Sequence, residues 1–519
     1  MDSSKIKNLI VLSLAVFAAL YLGIAAATAQ MEVVLWVVGG LGLTVCLAMG
    51  RRIWLMLPFM TSLSLVLPIQ GNFSTMLIAQ FLILGFCSML FLMRKLPMLF
   101  RFTELEFWNL LFLLCVAQVY MRNPIGLNLF GGDSIGGKPY VMFIITVATA
   151  LLVSVLTVPP NELKWYVRAT MLGSWINFGL GAVAKMVPSV GTYLGASFST
   201  DVSRDAGLAD RVAADEGAAS RVSFVRQISL DLAIWVSSKV SPLKACVLPL
   251  WAPLVAFTLI AAAVSGFRSQ FAAVALTYLV GILYRGGLRH LLVAGILVAA
   301  GLTVLGLGNL VAPLPPNIQR SLSFLPGTWE ERYTRDTAES TEWRMQMWID
   351  ALSSDRYIKN RIMGDGLGMT ADQLRLATSE ATSVGNIDAH RESAMQAGDY
   401  HSGPVQTIRT VGYVGLVVLL IGLVRLGVHT HRQIERCRNT EWFSTALFIG
   451  NTYVWFAFGW TLIFGSFLGG ASALFMGSAL VRLLQNNLPL PPYVVKRREP
   501  YILKSSRQRL TEADSNPRG

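Results

Sequence analysis

The sequence predicts an all-α integral membrane protein. It reads as a polytopic helical bundle of about fourteen spans, twelve to fourteen, with one large extracytoplasmic helical loop between late spans. Three observations predict it. Of 519 residues, 54% are hydrophobic and only 14% charged, and the mean hydropathy is +0.54, well away from soluble averages. Apolar runs of seventeen or more residues recur along most of the chain, long enough to cross a bilayer core of about 30 Å as helices. Lys and Arg gather in the short connections between runs, the positive-inside pattern.

Spans are read at 8–29, 31–49, 53–69, 73–93, 106–120, 140–158, 164–187, 223–240, 246–265, 269–284, 290–310, 405–428, 443–464 and 466–486. In lipid each segment must satisfy its own backbone groups, so these runs are helices. The alternation of a membrane barrel is absent. The first run is longer than a signal-peptide core and is followed at once by another span, so it reads as retained. The weakest spans are 53–69, short and interrupted by proline, and 223–240, which carries Arg226 and Asp231.

The basic clusters are Arg51–Arg52, Arg94–Lys95–Arg101, Lys164–Arg168, Arg285–Arg289, Arg432–Arg436–Arg438 and Lys496–Arg497–Arg498. Taken as cytoplasmic, they put both termini inside and residues 121–139, 188–222 and 311–404 outside. The chain divides into an N-terminal bundle (1–190), a transmembrane core carrying candidate arginines (191–310), the large loop (311–404), C-terminal spans (405–488) and a basic, disordered cytoplasmic tail (489–519). The formal charge of +13 is spread over loop ends, which argues for orientation in a membrane and against nucleic acid. None of the five cysteines falls in an external loop, so no disulfide framework is implied.

Within the large loop, Trp343, Met347, Trp348, Ala351, Leu352 and Ile358 have the spacing of one helix face. The predicted helix runs on to the glycines Gly364, Gly366 and Gly368, which end it and allow a tight turn. His401 stands just before the next span, where a neutral imidazole could take a proton. Arg268 sits in a very short outer connection, against the topology bias, and so needs a partner or a purpose. Arg221 and Arg226 flank the start of the eighth span; Asp231 is a structural partner open to Arg226. Arg344 could contact a ligand or pair with Asp350 or Glu339. HExxH, CxxC and P-loop patterns are missing. The external loops also lack an Asp-x-Asp pair for a divalent metal, so arginines would have to carry a phosphorylated ligand's charge.

Three blocks resemble the O-antigen ligase and O-antigen polymerase group of bacterial membrane glycosyltransferases. They are SGFRSQFAAVALTYLVG, WRMQMWIDALSSDRYIKNRIMGDGLG and HSGPVQTIRTVGYVGLV, with ASRVSFVRQISLDLA as a weaker fourth. Ser402 stands where that group has Asn after its histidine. The resemblance implies transfer of a glycan from undecaprenyl diphosphate at the outer face of the bacterial cytoplasmic membrane, without metal, nucleotide or other cofactor. It implies His401 as base, Arg268 and Arg221 at the diphosphate, and Arg226, Arg344 and Arg409 as substrate contacts. The acceptor would be a growing glycan or a lipid core, with membrane lipids and polysaccharide assembly proteins as further partners. Two other readings stay open: a lipid-linked oligosaccharide flippase or transporter, and a non-catalytic assembly subunit. A transporter should show internal repeats, and none is found.

Overall fold

The computed structural model describes residues 47–67, 73–125, 136–187, 222–368 and 398–488, with single positions at 40–45 and 392–396. The expected span 8–29, most of 31–49 and the tail 489–519 lie outside the described residues. The described chain is helical apart from one ladder of two-residue strands, β1 (Val66–Leu67) against β2 (Phe73–Ser74).

A 3₁₀ segment, Gly50–Leu55, leads into α1 (Met56–Leu63), which stops where Ser64 turns left-handed at φ 50°. Helix α2 (Thr75–Leu92) starts at Ser74, whose hydroxyl accepts the Leu77 N–H. Helix α3 (Glu104–Arg122) starts where Glu106 reaches back to the Thr103 N–H at 2.8 Å. Helices α4 (Lys138–Val155) and α5 (Pro160–Met186) open on proline, whose missing N–H costs nothing in a first turn. After them come α6 (Val225–Lys239), the short α7 (Pro242–Ala245) and α8 (Ala252–Val264). The long α9 (Arg268–Val311) is followed by α10 (Pro316–Leu322) and α11 (Glu331–Ser353). The chain ends in α12 (Gly403–Cys437), α13 (Phe443–Gly450), a π segment (Asn451–Phe456), α14 (Ala457–Ile463) and α15 (Phe467–Asn487).

Among the described residues, six helices are long and apolar enough to cross a membrane: α2, α3, α4, α9, α12 and α15. The expected span 53–69 is instead a short helix and a strand, and 223–240 is a fifteen-residue helix. Helix α15 is the hub, with 83% of its most apolar window buried between α4 and α12. Leu474, Phe475, Leu480 and Leu483 are all buried on it, as expected of a helix that protein covers on most sides. At one end of the bundle, Arg482 on α15 pairs with Glu106 at 2.9 Å, and Arg425 and His429 on α12 meet Glu104.

Two helices double back on a glycine. A straight α9 of 44 residues would be about 66 Å long. Yet Arg268 at its start pairs with Asp336, and Asn309 near its end donates to the Thr328 carbonyl. Eight residues of chain join those partners and reach at most about 28 Å. The reversal is at Gly287, φ 73°, so the expected spans 269–284 and 290–310 are two limbs of one hairpin. In α12, Gly403 packs on Thr461, Thr461 on Gly470, and Gly470 on Leu419. A straight helix would hold Gly403 and Leu419 about 24 Å apart. Gly412, φ 72°, is the turn, so the limb from 403 to 411 runs beside the span that follows it. The expected span 405–428 therefore begins only after Gly412.

Glycine is required at these turns to different degrees. A Cβ on Gly412 would fall 2.0 Å from the Ile362 carbonyl oxygen, whereas one on Gly287 would meet nothing. With ψ about 180° as well, both lie in a backbone region that is essentially confined to glycine and costs a side chain about 1–3 kcal/mol. Gly287→Ala should therefore lower thermal stability by about that much, and Gly412→Ala by clearly more. Gly85→Ala, in open space on α2, should be neutral or slightly stabilising. Equal melting temperatures for Gly412→Ala and Gly287→Ala would contradict this difference.

Candidate functional site

The loop between α9 and α12 is built onto the bundle by the apolar stripe read from its spacing. Met347, Ala351 and Ile358 are fully buried with Met395, Tyr400, Val405 and Ile408, and Trp343, Trp348 and Leu352 pack against them. The Trp348 indole donates to the Tyr400 carbonyl at 2.7 Å, tying α11 to the chain just before His401. The helix does not run on to the glycines. It ends at Ser353, where Ser354 is extended and its hydroxyl accepts the Arg356 N–H, a local bond that competes with helix.

The glycine segment instead closes the break at Gly412. The N–H groups of Asp365 and Gly366 donate to the carbonyls of Arg409 and Thr410, and Tyr413 and Val414 donate to those of Arg361 and Ile362. Those carbonyls and N–H groups are the orphans that an interrupted helix leaves. Arg122 and Gln118 on α3 donate to the Met363 carbonyl, and the Tyr140 hydroxyl on α4 accepts the Leu367 N–H. Gly364 and Gly366, at φ 81° and 102°, leave no room for a Cβ beside Thr410 and Tyr140.

Beneath α11, at the Gly412 end of the bundle, is a cavity of about 660 Å³. Arg268 enters it from the first turn of α9, Arg344 from α11, Arg320 from α10, and His401 from the turn before α12. Among the described residues, Asp336 is the one carboxylate on the wall, 2.9 Å from Arg268 and 3.4 Å from Arg320. Three guanidinium groups against one carboxylate make a site for an anion. Thr337, Ser340 and Thr341 add hydroxyls on the same face of α11, and Phe267, Phe324, Trp348, Trp460 and Phe464 give apolar walls. Arg344 lies over the Phe464 ring at 5.8 Å. Burial disfavours its charged form, and Asp336 acts in the other direction.

His401 has a left-handed backbone, φ 48°, one of three non-glycine residues with positive φ among the described residues. Histidine tolerates that region better than most side chains, but a cost remains. Its Nδ1 lies 3.5 Å from the Asp399 carboxylate, which also accepts the His401 N–H and the Gln406 amide. Gln406 in turn accepts the Phe467 N–H at the head of α15. The ring stands 5.8 Å from the Trp343 ring, and with Nδ1 toward Asp399 the free nitrogen is Nε2. Ser402 is buried, and Gly403 lies against the Thr461 carbonyl, where no side chain fits.

The structure thus brings together His401, Arg268 and Arg344 of the six arginine and histidine candidates. Arg226 lines a second cavity of about 270 Å³ with Asn177, Gln227 and Gln270, sharing the Trp460 wall. Its guanidinium lies 4.5 Å over the Phe267 ring. Asp231 accepts from Ser174 and from Gln227, not from Arg226. Arg409 does not line the main cavity; it packs at Gly398 and donates to the Gly366 carbonyl. Arg221 lies outside the described residues, as does His390. Arg320 and Asp336 do not stand out in the sequence. Their one signal there is a further arginine just after Pro315–Pro316, in a loop that already holds the candidate helix. Among the described residues no three His, Cys, Asp or Glu side chains are grouped to hold a metal ion. The chain matches no protein-family model and no curated protein sequence.

Two tyrosines beneath His401 make the loop sensitive to alkali. Burial pushes the Tyr357 and Tyr400 hydroxyls up to about 12, and Glu392, 2.8 Å from Tyr357, adds to the effect there. An unfolded chain loses these protons near pH 10, so the stability they contribute is intact below about pH 10. It then declines as pH rises toward about 12. The thermal midpoint should fall across this window, and Tyr400→Phe should flatten the fall. An identical profile for the two proteins would show that Tyr400 takes no part.

Proposed function

We propose that this chain transfers a glycan from undecaprenyl diphosphate to an acceptor hydroxyl at the outer face of a bacterial cytoplasmic membrane, as an O-antigen ligase or polysaccharide polymerase does. One observation carries the reading. A histidine held by a carboxylate and three arginines, drawn from separate stretches of the chain, face one cavity at one end of a bundle of apolar helices. The basic clusters Arg94–Lys95–Arg101 and Arg432–Arg436–Arg438 belong to the other end, where Arg425 meets Glu104, which supports placing the cavity outside.

The reaction asks little more of a protein than these groups. A sugar on diphosphate is already activated, so the acceptor oxygen needs a base and the departing diphosphate needs cations. The acceptor oxygen bonds to the anomeric carbon as the bond from that carbon to the diphosphate oxygen breaks. The electron pair leaves with the diphosphate, facing Arg268, Arg320 and Arg344. The hydroxyl proton passes to His401 Nε2, and Asp399 steadies the imidazolium through Nδ1. Aromatic walls of the kind formed by Trp348, Trp460 and Phe464 suit the apolar faces of sugar rings and the first isoprenes of the carrier. Asp336 keeps Arg268 and Arg320 in place before the diphosphate arrives.

His401→Ala should lower transfer by about 10²–10⁴-fold. Arg268→Ala and Arg344→Ala should each lower it by about 10²-fold or more, with membrane insertion unchanged. Transfer at the wild-type rate by an Arg268→Ala, His401→Ala double variant would refute the reading. Mass spectrometry of carrier-linked glycans after gene deletion separates the two reactions. Accumulated single repeat units indicate a polymerase, and accumulated long chains on the carrier a ligase.

A further inference from the structure

We propose that a groove at the other end of the bundle, between α2 and α4 beneath the 93–103 loop, binds an anionic phospholipid of the adjoining leaflet. The groove has a volume of about 580 Å³. Its floor is apolar, formed by Phe91, Leu151, Leu152 and Val155. Phe91 and Leu151 are half exposed, so the floor opens sideways, where lipid chains would lie around these helices.

The loop over the groove is held in place. Leu99 donates to the Val155 carbonyl at 2.8 Å, Thr157 donates to that of Pro97, and Met98 and Leu156 form an isolated bridge. Arg94, at φ 55°, makes the turn out of α2. So pinned, the loop presents Arg101 between Phe100 and Phe102, each 71% exposed. Aromatic residues flanking a cation at a bundle end suit the headgroup layer of a bilayer.

Charge decides the class of ligand. Arg94, Lys95 and Arg101 are exposed, and among the described residues no carboxylate lies within ion-pair distance of them. Glu106 is the acid on the groove wall, and Arg482 at 2.9 Å and the Thr103 N–H already hold it. Arg101 on the wall of an apolar groove, with Arg94 and Lys95 exposed on the same connection, matches a phosphate headgroup with an acyl chain behind it. A soluble phosphate would leave the groove floor unused.

The test uses the full chain in phosphatidylcholine vesicles carrying trace photoreactive phosphatidylglycerol, with its reactive group on the acyl chain. Labelling should map to peptides containing Phe91 and Leu151–Val155 and should exceed that by photoreactive phosphatidylcholine. Arg101→Gln should weaken it about fivefold, and the added Arg94→Gln and Lys95→Gln changes further, at about 1 kcal/mol for each charge. Leu151→Trp should block labelling while every cation stays in place, so the result does not rest on charge variants alone. Equal labelling by the two lipids, or unchanged labelling in the triple variant, would overturn the proposal. Displacement by inorganic phosphate would overturn it too, in favour of a soluble anion.

Discussion

The architecture around the cavity depends on a backbone pairing between residues 361–366 and the broken helix at Gly412. An interrupted helix leaves donors and acceptors without partners, and in an apolar surrounding each costs several kcal/mol. Four bonds from the glycine segment take them up. That pairing lets the limb from Gly403 to Val411 fold back into the bundle, which sets His401 at the level of Trp460 and Phe464. It also anchors the descending end of the large loop, so α11 is held at both ends rather than one.

The cavity joins pieces that are weakly specified one by one. Arg268 starts a helix, Arg320 ends a short one, Arg344 lies mid-way along a third, and Asp336 holds the first two together. Three like charges repel, and one carboxylate among them lowers that cost without cancelling the excess. The residual positive field is the property a phosphorylated ligand reads. Phe267 lies between this cavity and the smaller one that holds Arg226.

What can be read from the sequence follows from the range of the forces involved. The apolar stripe from Trp343 to Leu352 is local periodicity and packs as one helix face, while Ile358 joins the same cluster from beyond the helix end. Arg268 and His401 stand out because each is chemically unusual for its immediate neighbourhood, and both reach the cavity. The extent of α11 is not legible in the same way, because a hydroxyl at Ser354, not a glycine ten residues later, stops it. The doubling of α12 is invisible in the sequence because it rests on hydrogen bonds to residues about fifty positions earlier. The resemblance implies Arg409 as a substrate contact, whereas its contacts are with backbone at Gly366 and packing at Gly398. Arg320 and Asp336 acquire meaning only through each other and Arg268, and such three-body arrangements leave no trace in spacing.

The second limb of α9 has a consequence of its own. Only 11% of that helix's most apolar window is buried, and Leu292, Ile296, Val304 and Val311 face outward with little protein against them. Yet this limb leads directly into α10 and α11, which form the roof of the cavity, and Asn309 is bonded to Thr328 beneath them. Lipid tails, not side chains, are its natural neighbours. A mismatch between this limb and the bilayer's thickness would be taken up in part by tilt, which would carry the roof with it. In such an arrangement the membrane is a wall of the site, and replacing it with a detergent belt alters the room itself.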